Sequence, residues 1–302
     1  MTCFSRRTFL AAMGATVVSR GLQALPLEEI KLGVTTDEIS DDPAIAADFL
    51  KRFRLHYGEV RNMFGKYNTE LPAAKVQEAR TAFDARDVKI SIVDTALFRG
   101  AIPADGTALD KEWTLLEAAM ERGDILGCKL LRIFAFMPPK GGDVMDGSVF
   151  PRTYELLREG ASRAGKRGFR VAVENLKGSY VQTGADSARL LKAVKNANFG
   201  VNWDPNNAAG AGEKPFPDGY SQIDPSRIFH VHLRDFKHNA EGGVDWMPVG
   251  QGEFDNVAQI RALRHDGFRG TYSLETHWRS PQGKAYATEV SLKGLLQVIE
   301  KV

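Results

Sequence analysis

Four short apolar runs in the second half of the chain end in residues able to ligate a metal or carry a proton. They are Val171-Ala172-Val173-Glu174-Asn175, Val201-Asn202-Trp203-Asp204, His230-Val231-His232-Leu233 and Tyr272-Ser273-Leu274-Glu275. Runs of this kind read as buried strands, so their ends carry charge to the edge of an apolar core. If the four ends converge, three carboxylates share a partly dry site, where they repel one another and their protonated forms are favoured. A divalent cation removes that conflict. Three carboxylates and an imidazole make an oxygen-rich set that suits one Mn²⁺, Mg²⁺ or Co²⁺ ion in octahedral geometry, with Zn²⁺ compatible and copper less so. Such coordination leaves positions for two substrate oxygens, as a vicinal hydroxy-ketone presents them. Singly, each residue has a plainer reading. Glu174 and Glu275 read equally as ion-paired strand ends, Asp204 before Pro205 as an Asx-turn residue, and a strand histidine as a satisfied core residue. His230 and His232 share a side of their strand, and the spacing alone does not choose between them.

Convergence requires a fold in which strand ends meet, and the rest of the chain supplies one. Strands are expected at residues 30–34, 57–61, 89–93 with Asp94 at the end, 130–136, 170–174, 199–204, 228–233 and 271–275. Helical patterns lie between them. One is capped by Asp41-Asp42-Pro43 and runs towards Arg54, one is opened by Pro72 with Val76, Ala79 and Phe83 on a single face, and one carries Trp113, Leu116 and Met120. Others cover residues 153–166, 185–195 and 256–265, and the last ends at Val302. Eight such units predict a single-domain α/β fold, a closed parallel (β/α)8 barrel whose strands all open their C-terminal ends on one face. No G-x-G-x-x-G turn follows the first strand, which argues against a dinucleotide-binding sheet.

The first residues bear on where this chemistry takes place. Ser5-Arg6-Arg7-Thr8-Phe9-Leu10 is a twin-arginine signature, followed by a weakly apolar run from Phe9 to Val18 with no acidic residue before Glu28. Residues 1–24 therefore read as a Tat-type signal peptide and 25–302 as the barrel, with the Tat export machinery as partner and the periplasm as destination. The apolar run is too short for a membrane anchor. Loss of Arg6, Arg7 and Arg20 takes the formal net charge from +2 to −1, which excludes a broad basic field for nucleic acid. Cys3 leaves with the leader, so Cys128 has no intramolecular disulfide partner and reads as core filler.

Taken in order, Val-Glu-Asn at 173–175, Asp-Pro-Asn-Asn at 204–207, His-Val-His-Leu-Arg-Asp at 230–235, Val-Gly-Gln-Gly-Glu-Phe-Asp at 249–255 and Ser-Leu-Glu-Thr-His-Trp at 273–278 resemble the sugar phosphate isomerase/epimerase superfamily. These are xylose isomerase-like TIM barrels, among which are AP endonucleases and inosose dehydratases. The resemblance implies a metal held by Glu174, Asp204, His232 and Glu275, with Glu174 and Glu275 also moving the proton. Asn207 stands where the AP endonucleases place a histidine, and Asp245-Trp246-Met247 where they place Asp-x-His, so a three-zinc cluster is not expected. Asn207 is instead a candidate substrate contact.

The implied reaction is proton abstraction α to a carbonyl, with one glutamate removing the proton and the other returning it. The substrate is a sugar or polyol, and the reaction an isomerisation or epimerisation. The same enolate also serves a lyase or dehydratase acting on 3-keto sugars, keto glycosides or inosose, and a sugar-binding barrel without catalysis is the reading from another class. Lys177 and His277 are candidate substrate contacts. Arg132 and Arg234 are too, although an ordinary ion pair is the stronger reading for both.

Overall fold

A computed structural model of the protein describes residues 30–302, so the signal-peptide reading of residues 1–24 lies outside the described residues. Eight parallel strands form the barrel: β1 (Leu32–Thr35), β2 (Tyr57–Val60), β3 (Lys89–Asp94), β4 (Leu130–Ile133), β5 (Arg170–Glu174), β6 (Phe199–Trp203), β7 (Ile228–Leu233) and β8 (Thr271–Leu274). They pair in the order β1-β8-β7-β6-β5-β4-β3-β2 and close on themselves. Around them lie α1 (Pro43–Arg52), α2 (Ala73–Asp84), α3 (Gly106–Leu126), α4 (Phe150–Lys166), α5 (Gly184–Ala193), α6 (Pro205–Gly210), α7 (Asn256–His265) and α8 (Lys284–Ile299). The single-domain (β/α)8 TIM barrel is the fold that the sequence predicts.

Local chemistry sets the element ends. Asp42 caps α1 by accepting the Ala44 N–H at 2.8 Å, with Pro43 in the first turn. Thr183 and Asp186 cap α5 reciprocally. The apolar run expected as a strand over 130–136 leaves the ladder at Ile133, because Phe136 turns into the left-handed region at φ 61°. Its N–H bonds to the carbonyl of Phe98, itself at φ 60°, and the two rings lie 4.6 Å apart. The run stays apolar because these rings remain in the core beyond the strand. β6 stops at Trp203, one residue short of expectation, since Asp204 becomes the N-cap of α6. The final helix stops at Ile299, short of Val302.

All six residues of β7 are buried, yet Phe229, Val231 and Leu233 alternate with His230 and His232. The histidine side faces other buried polar groups inside the barrel: Glu59, Asp94, Arg132, Glu174, Asn202 and Ser273. Apolar packing thus lies mainly between strands and helices, while the interior near the strand ends is polar. A two-stranded antiparallel hairpin, Asp235–His238 with Val244–Met247, follows β7 directly. Cys128 is buried and free, and burial pushes its thiol up to about 11, as core filler requires. Among the described residues no helix is long and apolar enough to cross a membrane.

Candidate metal centre

The ends of β5, β6, β7 and β8 bring one ligand atom each from Glu174, Asp204, His232 and Glu275 to within 4.8 Å of one another. His232 Nδ1 is the hub, 3.7 Å from Glu174 Oε1, 3.5 Å from Asp204 Oδ2 and 3.3 Å from Glu275 Oε2. His230 turns its Nε2 to Glu59 and is not among these four. The structure thus places His232, and not His230, in the four-residue cluster, while both histidines meet Glu59.

Each carboxylate is held by its own partners. Asp204 accepts the N–H groups of Asn206 and Asn207 at 2.9 Å with Oδ1, leaving Oδ2 towards the hub. The Asx-cap and cluster readings of Asp204 both hold, one per oxygen. Glu174 Oε2 lies 3.2 Å from Arg132 Nε, and Arg132 Nη2 lies 2.9 Å from Asp94 Oδ2. Glu275 Oε1 accepts from Arg61 Nη1 at 2.7 Å, while Arg61 Nη2 reaches Glu38 at 2.7 Å and Asp37 at 3.0 Å.

Arg132 is thus a buried bridge beneath Glu174, the ion-pair alternative of its two readings. Asn207 is buried, and its amide donates to Glu174 Oε1 at 3.1 Å and Asp204 Oδ2 at 3.0 Å, tying two members of the cluster together. Arg234 is also buried. Its Nη2 donates to Asp204 Oδ2, its Nη1 donates to His277 Nδ1 at 2.5 Å, and its guanidinium lies 4.8 Å from the Trp246 ring. His277 is partly exposed, with Nε2 3.5 Å from Glu275 Oε1. Lys177 is exposed in the loop after β5, its stem beside Gly210, and none of the contacts within the cluster involves it.

The electrostatics follow from these contacts. Burial alone would raise the Glu275 carboxyl, but His277, Arg234 and His232 hold it well below the usual carboxylate range. Burial also opposes ionisation of Glu174, and Arg132 outweighs it, leaving the group lowered. Burial would lower His232, yet Glu59 and Glu275 keep it well above an ordinary histidine. Asp94, buried beside both Arg132 and Glu59, is pushed well above the usual range. The site therefore favours the ionised forms of Glu174 and Glu275 beside one imidazole nitrogen, and keeps a buried acid, Asp94, below them.

A divalent cation fits this arrangement. His232 Nδ1 and Glu275 Oε2 are buried and make no hydrogen bond among the described residues. Unsatisfied buried polar atoms are costly, and two that face each other across a carboxylate-rich space are what a ligand set leaves open for its ion.

Sequence reading missed Glu59, Arg61, Asp37 and Glu38. Glu59 carried a usable signal, being an ionisable residue in the strand Tyr57-Gly58-Glu59-Val60, the pattern that flagged the other four.

Comparison with curated proteins finds no significant sequence match. Solved structures show the fold. The chain is similar to the IOLI protein with a zinc atom at 20% identity and TM-score 0.73, over 90% of this chain and 99% of that one. It is also similar to D-allulose 3-epimerase from Methylomonas sp. in complex with D-allulose, at 14% identity and TM-score 0.71 over 91% and 98%. A third is the probable 3-DHS dehydratase AsbF from Bacillus anthracis, at 15% identity and TM-score 0.69 over 88% and 98%. A family model described as xylose isomerase-like TIM barrel matches residues 53–295, and the chain belongs to that family.

Proposed function

We propose that the protein is a divalent-metal-dependent isomerase or epimerase of a sugar or polyol, acting by proton abstraction α to a carbonyl. The observation that carries this reading is that Glu174 and Glu275, on strands separated by two others, both face the same nitrogen of His232. Two carboxylates approaching one point from different sides can remove a proton on one face and return it on the other or at the adjacent carbon. Glu174, Asp204, His232 and Glu275 are the proposed ligands of Mn²⁺, Mg²⁺ or Co²⁺, with Zn²⁺ also accommodated. When bound, the ion would polarise the substrate carbonyl and offset the negative charge that develops there.

The chain's own residues supply the rest. Arg132 and Arg61 orient the two glutamates and favour their ionised, proton-accepting forms. Arg234 and His277 place donors beside Glu275, where the substrate's hydroxyls would lie. The D-allulose complex and the dehydratase among similar structures are compatible with either outcome of an enolate. His277, partly exposed and 3.5 Å from Glu275, adds a second proton donor on one side, which favours β-elimination as the alternative: a lyase on 3-keto sugars, keto glycosides or inosose.

The test is deuterium wash-in from D₂O, followed by NMR over a panel of keto sugars and keto glycosides with Mn²⁺ present. Exchange with a rearranged product supports the isomerase or epimerase, and exchange with loss of a substituent supports the lyase. Binding without exchange for every compound makes the protein a sugar-binding barrel and sinks the proposal. The twin-arginine leader belongs to the same proposal, with export to the periplasm by the Tat machinery after folding.

A further inference from the structure

The metal reading assigns no role to Glu59, a carboxylate fully buried in the middle of the barrel. The β2–β3 register shifts between Gly58 and Glu59, where Glu59 pairs with Ile92 and Ser91 is the extra residue on β3. Glu59 Oε2 lies 2.8 Å from His230 Nε2 and Glu59 Oε1 lies 2.9 Å from His232 Nε2, with all three side chains wholly buried. We infer that Glu59 is a positioning residue which clamps both histidines of the H-x-H as Nε2–H tautomers, so that His232 presents Nδ1 as a lone pair to the metal centre. This inference rests on the proposed metal site.

The argument is one of donors and acceptors. An ionised carboxylate only accepts, so each Nε2 facing it must carry the proton. In neutral imidazole the other nitrogen is then unprotonated, and in His232 that nitrogen is the one aimed at Glu174, Asp204 and Glu275. Asn202 lies 3.0 Å from His232 Nε2 through its amide nitrogen, while its Oδ1 has no partner. Were that NH₂ the donor, Nε2 would turn a lone pair on Glu59 at 2.9 Å, which is repulsive. Exchanging the amide's N and O removes the conflict and makes Asn202 a second acceptor. His230 supplies the other arm of the clamp: without it, Glu59 would keep one bond and lose its fixed orientation. The two histidines of H-x-H thus have different tasks, one at the metal and one holding the carboxylate that orients it.

The test uses full-length, folded protein labelled with ¹⁵N-histidine, wild type and Glu59→Gln, each loaded with Zn²⁺ for NMR and titrated with Mn²⁺ by calorimetry. Glutamine offers one acceptor and one donor where glutamate offers two acceptors, so it cannot take a proton from both rings. In wild type, both histidines should show protonated Nε2. In Glu59→Gln, at least one ring should change tautomer, and Mn²⁺ affinity should fall about 10- to 100-fold. Unprotonated Nε2 on either ring of the wild type overturns the inference, as does a variant with both tautomers kept and Mn²⁺ affinity within threefold. If Glu59→Gln does not fold, His230→Gln with the wild-type spectrum decides on the same criteria, read at His232. If wild type binds no Mn²⁺, the metal site falls, while the tautomers of the metal-free rings, read at a pH above the raised His232 value where both rings are neutral, still decide the clamp.

Discussion

Arg234, the residue after β7, donates a hydrogen bond to the Asp204 oxygen that also faces His232 Nδ1. The same guanidinium lies 3.5 Å from Glu275 Oε2. A buried cation therefore stands among the carboxylates that the proposed metal would bind, and the two positive charges compete for Asp204.

Arg234→Ala should split stability from metal affinity. Without metal, Asp204 and Glu275 lose a buried counter-charge, which should cost about 3–5 kcal/mol. With metal, the competing charge is gone, and Mn²⁺ should bind several-fold more tightly than to wild type. Urea unfolding in chelator and calorimetric titration check the two halves. Equal weakening of both would mean that Arg234 supports the site rather than competing in it.

Arg132 makes the opposite case. It joins Asp94 and Glu174 wholly within the barrel, so Arg132→Met should destabilise the protein by about 3–5 kcal/mol by leaving two carboxyls unpaired. Adding Asp94→Asn should recover part of that loss, since the amide, unlike the carboxyl, cannot ionise in the space that Arg132 leaves. Urea unfolding of the three variants checks this, and strict additivity would show that the two residues do not interact.

Opposite shifts should give metal-free protein a bounded pH window. Glu59, Glu174 and Glu275 are lowered from an ordinary 4.5, so their contribution is complete above about that pH and fades as pH falls through their folded values. His232 is raised from 6.5, so its contribution is complete below about that pH and fades as pH rises through its folded value. Thermal stability in chelator should therefore fall on both sides, in acid through these glutamates and the lowered His230, and in alkali through His232. Metal binding must displace the proton from His232 Nδ1, so Mn²⁺ affinity should rise with pH and about one proton should be released near pH 7. Calorimetry in buffers of different ionisation enthalpy counts that proton, and an affinity flat from pH 6 to 8 would contradict the assignment.

The sequence disclosed much of the barrel and the four converging residues, because both depend on local pattern: buried strands are continuous apolar runs, and ionisable ends interrupt them. β5 and β7 appear at the expected bounds for that reason. Glu59 and Arg61 went unread because β2 is four residues long and flanked by polar residues, which gives a weak periodic signal. Their partners lie 171 to 214 residues away, at His230, His232 and Glu275, and spacing along the chain carries no information at that range. Asn207 was legible as a polar residue near the site but not as the tie between Glu174 and Asp204, since that role depends on where α6 begins.

The last prediction separates ligand from base. Glu174→Gln and Glu275→Gln keep the side-chain size and one ligating oxygen, so metal affinity should fall moderately while proton transfer is lost almost entirely. Asp204 spends one oxygen capping α6 and has no proposed acid–base role. Asp204→Asn should therefore act through metal affinity, and saturating Mn²⁺ should restore much of its activity. The measurement is deuterium exchange at saturating Mn²⁺ for the three variants, with occupancy checked by metal analysis. Recovery of both glutamine variants to the level of Asp204→Asn would make Glu174 and Glu275 ligands only. The base would then be sought first at His277, which lies 3.5 Å from Glu275 and reaches solvent, and next at the exposed Lys177.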